Sequence, residues 1–345
     1  MPTLAAEQLR QISTRLFQAA GVPDTIAARV SDSLVEANLA GHDSHGVLRV
    51  PQYLEYLREG EIDPHAEIEL LAETPTTALL DAHWAFGQLA AAEGMRLAID
   101  KALENNLGMV AVRRSAHIGR LGEYSLMAAD EGLVGAVLCN SSMLAAPYGG
   151  MARVLSTNPM SVAVPAGDRS VFLLDFATTV RAEGKVRLAK EKGEHVPEGW
   201  ILDKDGQPTT EPEDLYDDGM LLPLGEYKGY ALSLLVDILG GVLTGHGATS
   251  SEVYSHGNGV AMMAINIEPF CSRERFEHEV ENLLDRMKAV PPAPGFSEVL
   301  VPGEPEARSK AVRLREGILV PEKVWQAILD EGERLGVRIE GSLDA

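Results

Sequence analysis

The sequence predicts an α/β chain in which a mixed sheet follows a helical N-terminal region, outside the ordinary dinucleotide-binding type. Three observations predict it. Up to Gly60, apolar residues recur at helical spacing between glycine and proline stops. Beyond Pro64, short apolar runs of strand character alternate with helical patterns. No strand-like run leads into a GxGxxG turn, the mark of the common nicotinamide or flavin fold. Three regions follow: helical over 1–75, an α/β body over 76–299, and a returning segment with a helix over 300–345.

The elements can be justified in order. Leu9, Ile12, Leu16 and Ala19 mark a first helix, which Gly21 and Pro23 stop. A second helix over 25–40 carries Ala28, Val30, Leu34 and Leu39. The stretch GHDSHGVLR (41–49) comes next, then VPQYLEYLREG, whose Gly60 suits a helix C-cap. Strands are expected at ALLDA (78–82), MVAVRR (109–114), GAVLCN (135–140), MSVAVP (160–165) and VFLLDF (171–176). Helical patterns fill 88–105 and 121–131. Residues 190–219, rich in Gly, Pro and charge, read as a surface excursion, and 228–245 as a long, buried, mostly apolar helix. AMMAINI (261–267) is one more strand, 273–288 an amphipathic helix, and 321–335 the last helix.

At 345 residues the chain suffices for two domains or one large domain with insertions. Acidic residues outnumber basic ones 51 to 30, for a net charge of −21. Such a surface repels phosphate backbones and anionic lipid, so nucleic-acid and membrane partners are not expected. An anionic ligand must then meet a local cluster of positive groups. Cys139 and Cys271 lack any CxxC spacing, which argues against a disulfide scaffold or structural zinc. The start lacks the apolar core of a signal peptide, and no apolar run approaches the roughly 20 residues that cross a bilayer. A reducing cytoplasm is the expected location.

GHDSHGVLR admits four readings. As a metal site, His42, Asp43 and His45 are too close together to make a complete first shell unaided. As a nucleophilic triad, Ser44 beside His45 fails, because adjacent side chains are expected to point apart. As a cap, Asp43 or Ser44 would open a helix beginning near Val47. As a proton donor with an anion clamp, a helix beginning at Ser44 or His45 would put His45 and Arg49 at i and i+4 on one face. That pair suits a 2-oxo acid. A second histidine stretch, RRSAHIGRLGEYS (113–125), places His117 and Arg120 between a strand and a helix near Leu121, a phosphate-binding geometry. Lys228 opens a helix, where a cation opposes the helix dipole and a bound anion would explain it. GGVLTGHG (240–247) lacks the Lys-Ser/Thr ending of a phosphate loop and reads as a helix C-terminus.

Together DSHGVLRVPQYLEYL, RRSAHIGRLGEYS, APYGG with STNPMSVAVP, LDFATT, GWILDKDGQPTT, LPLGEYKGYALSLLVDILGGVLTG, NGVAMMAINIEPF and VPGEPEAR resemble the malate/L-lactate dehydrogenase family of the second, non-Rossmann type. The resemblance runs in the family's order over about residues 5–337. It implies an oxidoreductase using NAD or NADP, with NAD preferred, that acts on 2-oxo and 2-hydroxy acids, as a metal-free homodimer. Family substrates include malate, lactate, sulfolactate, ureidoglycolate, diketogulonate, hydroxyphenylpyruvate and piperideine-carboxylate. It also implies that His45 lies at nicotinamide and substrate, with Ser44 and Arg49 on the substrate side and His117 as acid/base in some members. Cofactor contacts carry over to His45, to Gly119, Arg120 and Leu121, and to Asp175, Phe176, Ala177, Thr178 and Thr179. Lys228, Asn258, and Pro302, Gly303 and Glu304 complete that set, while His42 and Asp43 vary within the family. The rival readings are a cyclic imino-acid reductase on the same fold and a non-catalytic cofactor-binding protein.

Overall fold

The computed structural model describes residues 1–167 and 171–339; residues 340–345 of the returning segment lie outside it. Helices α1 (Ala6–Ala19), α2 (Asp24–Leu39) and α3 (Arg49–Glu59) form the N-terminal region, and α3 stops at Gly60, whose φ of 75° suits a residue without Cβ. Leu9, Leu16 and Phe17 of α1 pack with Val30 and Leu34 of α2 and Val50 and Tyr53 of α3. Trp325 and Ile328 of the last helix (Glu322–Leu335) enter the same core. The returning segment therefore packs against the helical N-terminal region, and Thr3–Leu4 pairs antiparallel with Ile318–Leu319.

The main sheet contains β2 (Glu69–Glu73), β3 (Thr77–Asp81), β4 (Leu107–Ser115), β5 (Val134–Cys139), β6 (Met160–Pro165), β7 (Val171–Phe176) and β11 (Asn258–Ile265). Its order is β2-β3-β4-β11-β5-β6-β7. Only β3 and β4 pair in parallel, across helix α4 (Gly87–Asn105); the other pairs are antiparallel, so the sheet is mixed as expected. The late strand β11 is inserted at the centre, with Ala261 opposite Ala111 on one side and Leu138 on the other. Helices α4 and α5 (Gly122–Asp130) cover the sheet, with Ala91, Met95 and Ala98 in one cluster with Val110, Val112 and Met262.

Two expectations need correction. Residues 190–219 are more than a surface excursion. They carry most of a small sheet, β8 (Ile201–Leu202), β9 (Pro208–Thr209) and β10 (Met220–Leu221), and Val196, Ile201, Leu215 and Leu221 share a buried cluster with Val186. Two-residue strands leave too little alternation to be read from sequence. The stretch 228–245 is not a buried helix. Helix α7 (Tyr227–Val236) passes into a π-helical turn (Asp237–Val242), and Leu234, Leu235, Ile238, Val242 and Leu243 are exposed. Asp237 fixes that turn from within, accepting from Asn140 Nδ2 and from Thr249 N, both at 2.9 Å. Among the described residues no helix is long and apolar enough to cross a membrane.

Candidate active site

The SHG motif does not lie in an α-helix. Asp43–His45 form a single 3-10 turn, and α3 begins only at Arg49, without a side-chain cap. Neither the capping role of Asp43 or Ser44 nor the shared α-helical face of His45 and Arg49 is therefore realised as expected. The tight turn also brings neighbours together that were expected to diverge: Ser44 Oγ lies 3.0 Å from His45 Nδ1. Arg49 folds back on the turn, donating from Nε to Ser44 O at 2.7 Å and from Nη1 to Gln52 Oε1 at 2.5 Å. No bond of its Nη2 is found among the described residues, so that nitrogen stays available to an anion.

What fixes the turn comes from distant chain. Asn38 of α2 donates to Asp43 Oδ1 at 2.6 Å and accepts Val47 N at 2.8 Å. Asp43 also pairs with Arg313 at 2.5 Å, and His42 Nε2 lies 3.2 Å from Glu306 Oε1. Both partners belong to helix α9 (Glu304–Glu316), which sequence reasoning missed. These ties leave His42 and Asp43 engaged elsewhere than on a shared cation, and among the described residues no group of three metal-ligating side chains converges.

His117 is carried by the loop after β4. Ile118 N donates to Asn258 Oδ1 at 2.9 Å, the Tyr124 hydroxyl donates to Ile118 O, and Asn258 Nδ2 donates to Asn140 O at 2.7 Å. Asn258 thus ties the loop, through the two ends of its amide, to Asn140 at the end of β5. The loop brings the His117 ring 5.6 Å from His45, nearly parallel at 11°. Behind it, Tyr53 Oη lies 2.7 Å from His117 Nδ1, and Gln88 Nε2 donates to Tyr53 Oη at 2.9 Å. A Cβ on Gly87 would sit 2.4 Å from the carbonyl oxygens of Ala116 and His117, so only glycine lets α4 begin under this loop.

Burial lowers the pKa of His45 to about 3, with Arg49, His42 and Arg120 adding to the effect. Burial likewise holds His117 well below its ordinary value, helped by Arg49 and His45. Both rings are neutral at pH 7. A neutral imidazole can take a proton from a hydroxyl, and its protonated form can return one to a carbonyl oxygen.

Around the pair the other candidates divide. Arg120 is buried, with no hydrogen bond or ion pair to its guanidinium among the described residues. An unpaired buried cation is costly, and a bound phosphate would relieve it. Asp175 lies nearby: its Oδ2 accepts Gly122 N at 2.8 Å, so a carboxylate already takes that first-turn N–H of α5. Burial pushes the Asp175 carboxyl above its ordinary value, against the pull of His42 and Arg120. Gly119, with φ of 79°, and Leu121 flank Arg120 in the same loop, while Phe176 and Ala177 continue the chain from Asp175. Thr178 accepts Leu224 N at 2.8 Å and Thr179 bridges to Pro223, which places the exposed start of α7, with Lys228, beside that turn. Pro302 and Gly303 pack on Leu173 in β7, whereas Glu304 is turned to Lys288, at 2.6 Å, and Arg308. A buried unpaired arginine, a half-buried carboxylate and a glycine loop fit a ligand that carries both phosphate and hydroxyl groups, as a dinucleotide does.

Helix α6 (Glu183–Lys192), which the sequence did not announce, lies against the motif. A Cβ on Gly184 would lie 2.5 Å from Ser44 Cβ, so the helix rests on the motif at a glycine. Its Arg187 pairs with Glu183 at 2.9 Å, and Glu183 also accepts from the Tyr216 hydroxyl at 2.7 Å. Burial works against the charge of Arg187, but Glu183 outweighs it and raises the pKa. At Arg49 burial dominates and lowers the pKa, with Tyr53 opposing and Arg187 contributing.

The pattern described as malate/L-lactate dehydrogenase matches residues 4–329. A malate dehydrogenase of Pyrococcus abyssi is 38% identical over 96% of this chain and 94% of its own. The solved sulfolactate dehydrogenase of Methanocaldococcus jannaschii superposes with a TM-score of 0.90 at 35% identity, over 98% of this chain and 99% of that one. A ureidoglycolate dehydrogenase (NAD(+)) of Escherichia coli K12 is 33% identical over 95% of each chain.

Proposed function

Because the chain belongs to the malate/L-lactate dehydrogenase family and is an oxidoreductase of hydroxy acids, we propose that it interconverts a 2-oxo and a 2-hydroxy acid bearing a second anionic group, with NAD. The observation that carries this reading is the parallel pair His45 and His117 with Arg49 close enough to act on both rings. Bound nicotinamide would supply or accept the hydride at the substrate's C2. Arg49 then holds the C1 carboxylate, and a planar guanidinium fixes the plane of the reacting carbon. His117 exchanges the proton on the C2 oxygen, since its far nitrogen is held by buried Tyr53; His45, oriented only by Ser44, packs against it.

Two finer choices follow. Arg187, seated over Ser44 by Gly184, is suited to a distal carboxylate or sulfonate, the group that distinguishes malate and sulfolactate from lactate. Asp175 and Glu306 put carboxylates close to Arg120, which favours NAD over a cofactor bearing an extra phosphate. Arg120 and Lys228 are the cations offered to the cofactor phosphates. The exposed apolar side of α7 and its π turn supports a homodimer, and cysteines left unpaired, one of them buried, suit a reducing cytoplasm.

The test is a steady-state panel of oxaloacetate, sulfopyruvate, pyruvate and a cyclic imino acid, each with NADH and NADPH. Turnover of the first two with NADH is expected, and His117→Ala should lower kcat roughly 10²–10⁴-fold. Turnover of the imino acid alone would make the protein an imine reductase. Cofactor binding without any turnover would make it a non-catalytic binder. A larger loss in His45→Ala than in His117→Ala would reverse the two roles.

A further inference from the structure

We propose that Gln88 and Tyr53 form a two-state hydrogen-bond relay that decides which ring nitrogen of His117 carries its proton. The proposal rests on the reading of His117 as the acid/base group. Both relay residues are buried, Gln88 at 0% and Tyr53 at 1% exposure, so water does not substitute for either. In the structure Gln88 Nε2 donates to Tyr53 Oη, and the Tyr53 hydroxyl then has His117 Nδ1 as its acceptor. That arrangement puts the imidazole proton on Nε2, facing the pocket.

Gln88 Oε1 is buried and has no hydrogen-bond partner among the described residues. An orphaned buried carbonyl of this kind costs stability, and turning the amide over transfers that cost to the Nε2 end instead of removing it, so neither orientation is fixed by the far end. Oε1 then accepts from the Tyr53 hydroxyl, the Tyr53 oxygen accepts from His117 Nδ1–H, and Nε2 of the ring presents a lone pair. Whichever end of the amide faces away from Tyr53 lacks a bond, so only the chain through Tyr53 chooses the orientation. The neighbouring amides differ. Asn258 is locked at both ends by Ile118 N and Asn140 O, and Asn38 by Val47 N and Asp43. Gln88 alone of these three is free to turn.

The two orientations suit opposite stages of one reaction. With the proton on Nε2, His117 donates a hydrogen bond to a carbonyl oxygen and so receives a 2-oxo acid. With the proton on Nδ1, Nε2 can take the hydroxyl proton of a 2-hydroxy acid and become imidazolium, while a bound oxidised nicotinamide would accept the hydride from C2 to leave the 2-oxo acid. Reduction is the reverse: imidazolium gives its Nε2 proton to the oxygen, and a bound reduced nicotinamide would supply the hydride to C2. The imidazolium keeps Nδ1–H on Tyr53 throughout. The groups facing His117 are the His45 ring, Arg49 and Tyr53 of α3, and Gln88 at the start of α4; no carboxylate bonds to it among the described residues. Without a fixed negative charge behind the ring, as in a Ser-His-Asp triad, a neutral pair can serve either tautomer.

The experiment reads the His117 imidazole by nitrogen NMR across pH in the full-length protein without substrate, beside the pH profile of kcat/KM. Gln88→Glu can only accept, so it should lock the Nδ1–H form and raise the His117 pKa by about a unit or more. Tyr53→Phe removes the acceptor that the imidazolium uses, so the pKa should fall. Gln88→Met, of similar length and nonpolar, separates packing from hydrogen bonding and should lie between. Opposite shifts in the first two variants are not produced by a merely structural role. Identical tautomer and pKa in wild type, Gln88→Glu and Gln88→Met would overturn the relay. A wild type without dehydrogenase turnover would instead overturn the acid/base reading, and the NMR result would stay readable.

Discussion

His45 and His117 each give up hydration where they stack between α3 and the loop after β4, and that cost falls on the charged form. The consequence for stability has a definite sign. His45 titrates near 3 when folded and near its ordinary 6.5 when unfolded, so between those values the unfolded chain binds more protons. Its contribution is complete above pH 6.5 and is lost as pH falls toward 3; His117 adds to it with the same sign. The urea midpoint should therefore drop between pH 7.5 and 5.5, and the drop should shrink in a His45→Asn, His117→Asn double variant. An equal drop in both proteins would assign the effect to other groups. Ser44, His45, Arg49 and His117 were singled out as candidates because His, Ser and Arg are conspicuous beside the glycines of two short stretches. Tyr53 and Gln88 were not, since a tyrosine on an amphipathic helix and a glutamine at a helix start look like packing and solvation. Only their contact across 35 positions of sequence gives them a role.

At the scale of elements, sequence reading succeeded where one period dominates. β6 and β7 were read to the residue, and α8 (Arg273–Lys288) likewise, because alternation in β6, an apolar run in β7 and an amphipathic stripe in α8 each gave a clear signal. It missed β2, whose five residues are all exposed and bury no alternating face. It missed α6 and α9, whose charged sequences show no wide apolar stripe. α7 was assigned to the core because apolar composition says that a surface is covered without saying by what. Of these, α6 matters most to chemistry, as it meets Ser44 at Gly184 and brings Arg187 close enough to act on Arg49. Arg187→Ala should raise KM for oxaloacetate or sulfopyruvate roughly tenfold to a hundredfold, the worth of a charge-assisted hydrogen bond of about 1.5–3 kcal/mol. Pyruvate, lacking the second anion, should be little affected. An equal change for pyruvate would show that α6 only shapes the pocket.

For the whole molecule, a charge of −21 keeps chains apart, so an apolar face left open on such a surface calls for a specific partner rather than general stickiness. A second copy fits, and light scattering should give twice the 37.1 kDa chain, with Leu235→Asp, Ile238→Asp shifting it to monomer. A wild-type monomer would leave that face for another partner. The turn that bears His45 has a further property. It is tied to Arg313 from Asp43 across 270 positions and to Glu306 from His42 across 264, while the first strand pairs with Ile318–Leu319. Closing a loop of that length costs roughly 5 kcal/mol of chain entropy before any contact rewards it. On refolding, turnover should return after helix content has recovered, and simultaneous recovery would argue that the turn forms without α9. During synthesis the same delay applies: the residues that steady the turn leave the ribosome long after the turn itself. The growing chain thus carries its histidines hydrated and idle, and catalytic competence arrives only once the fold has closed on itself.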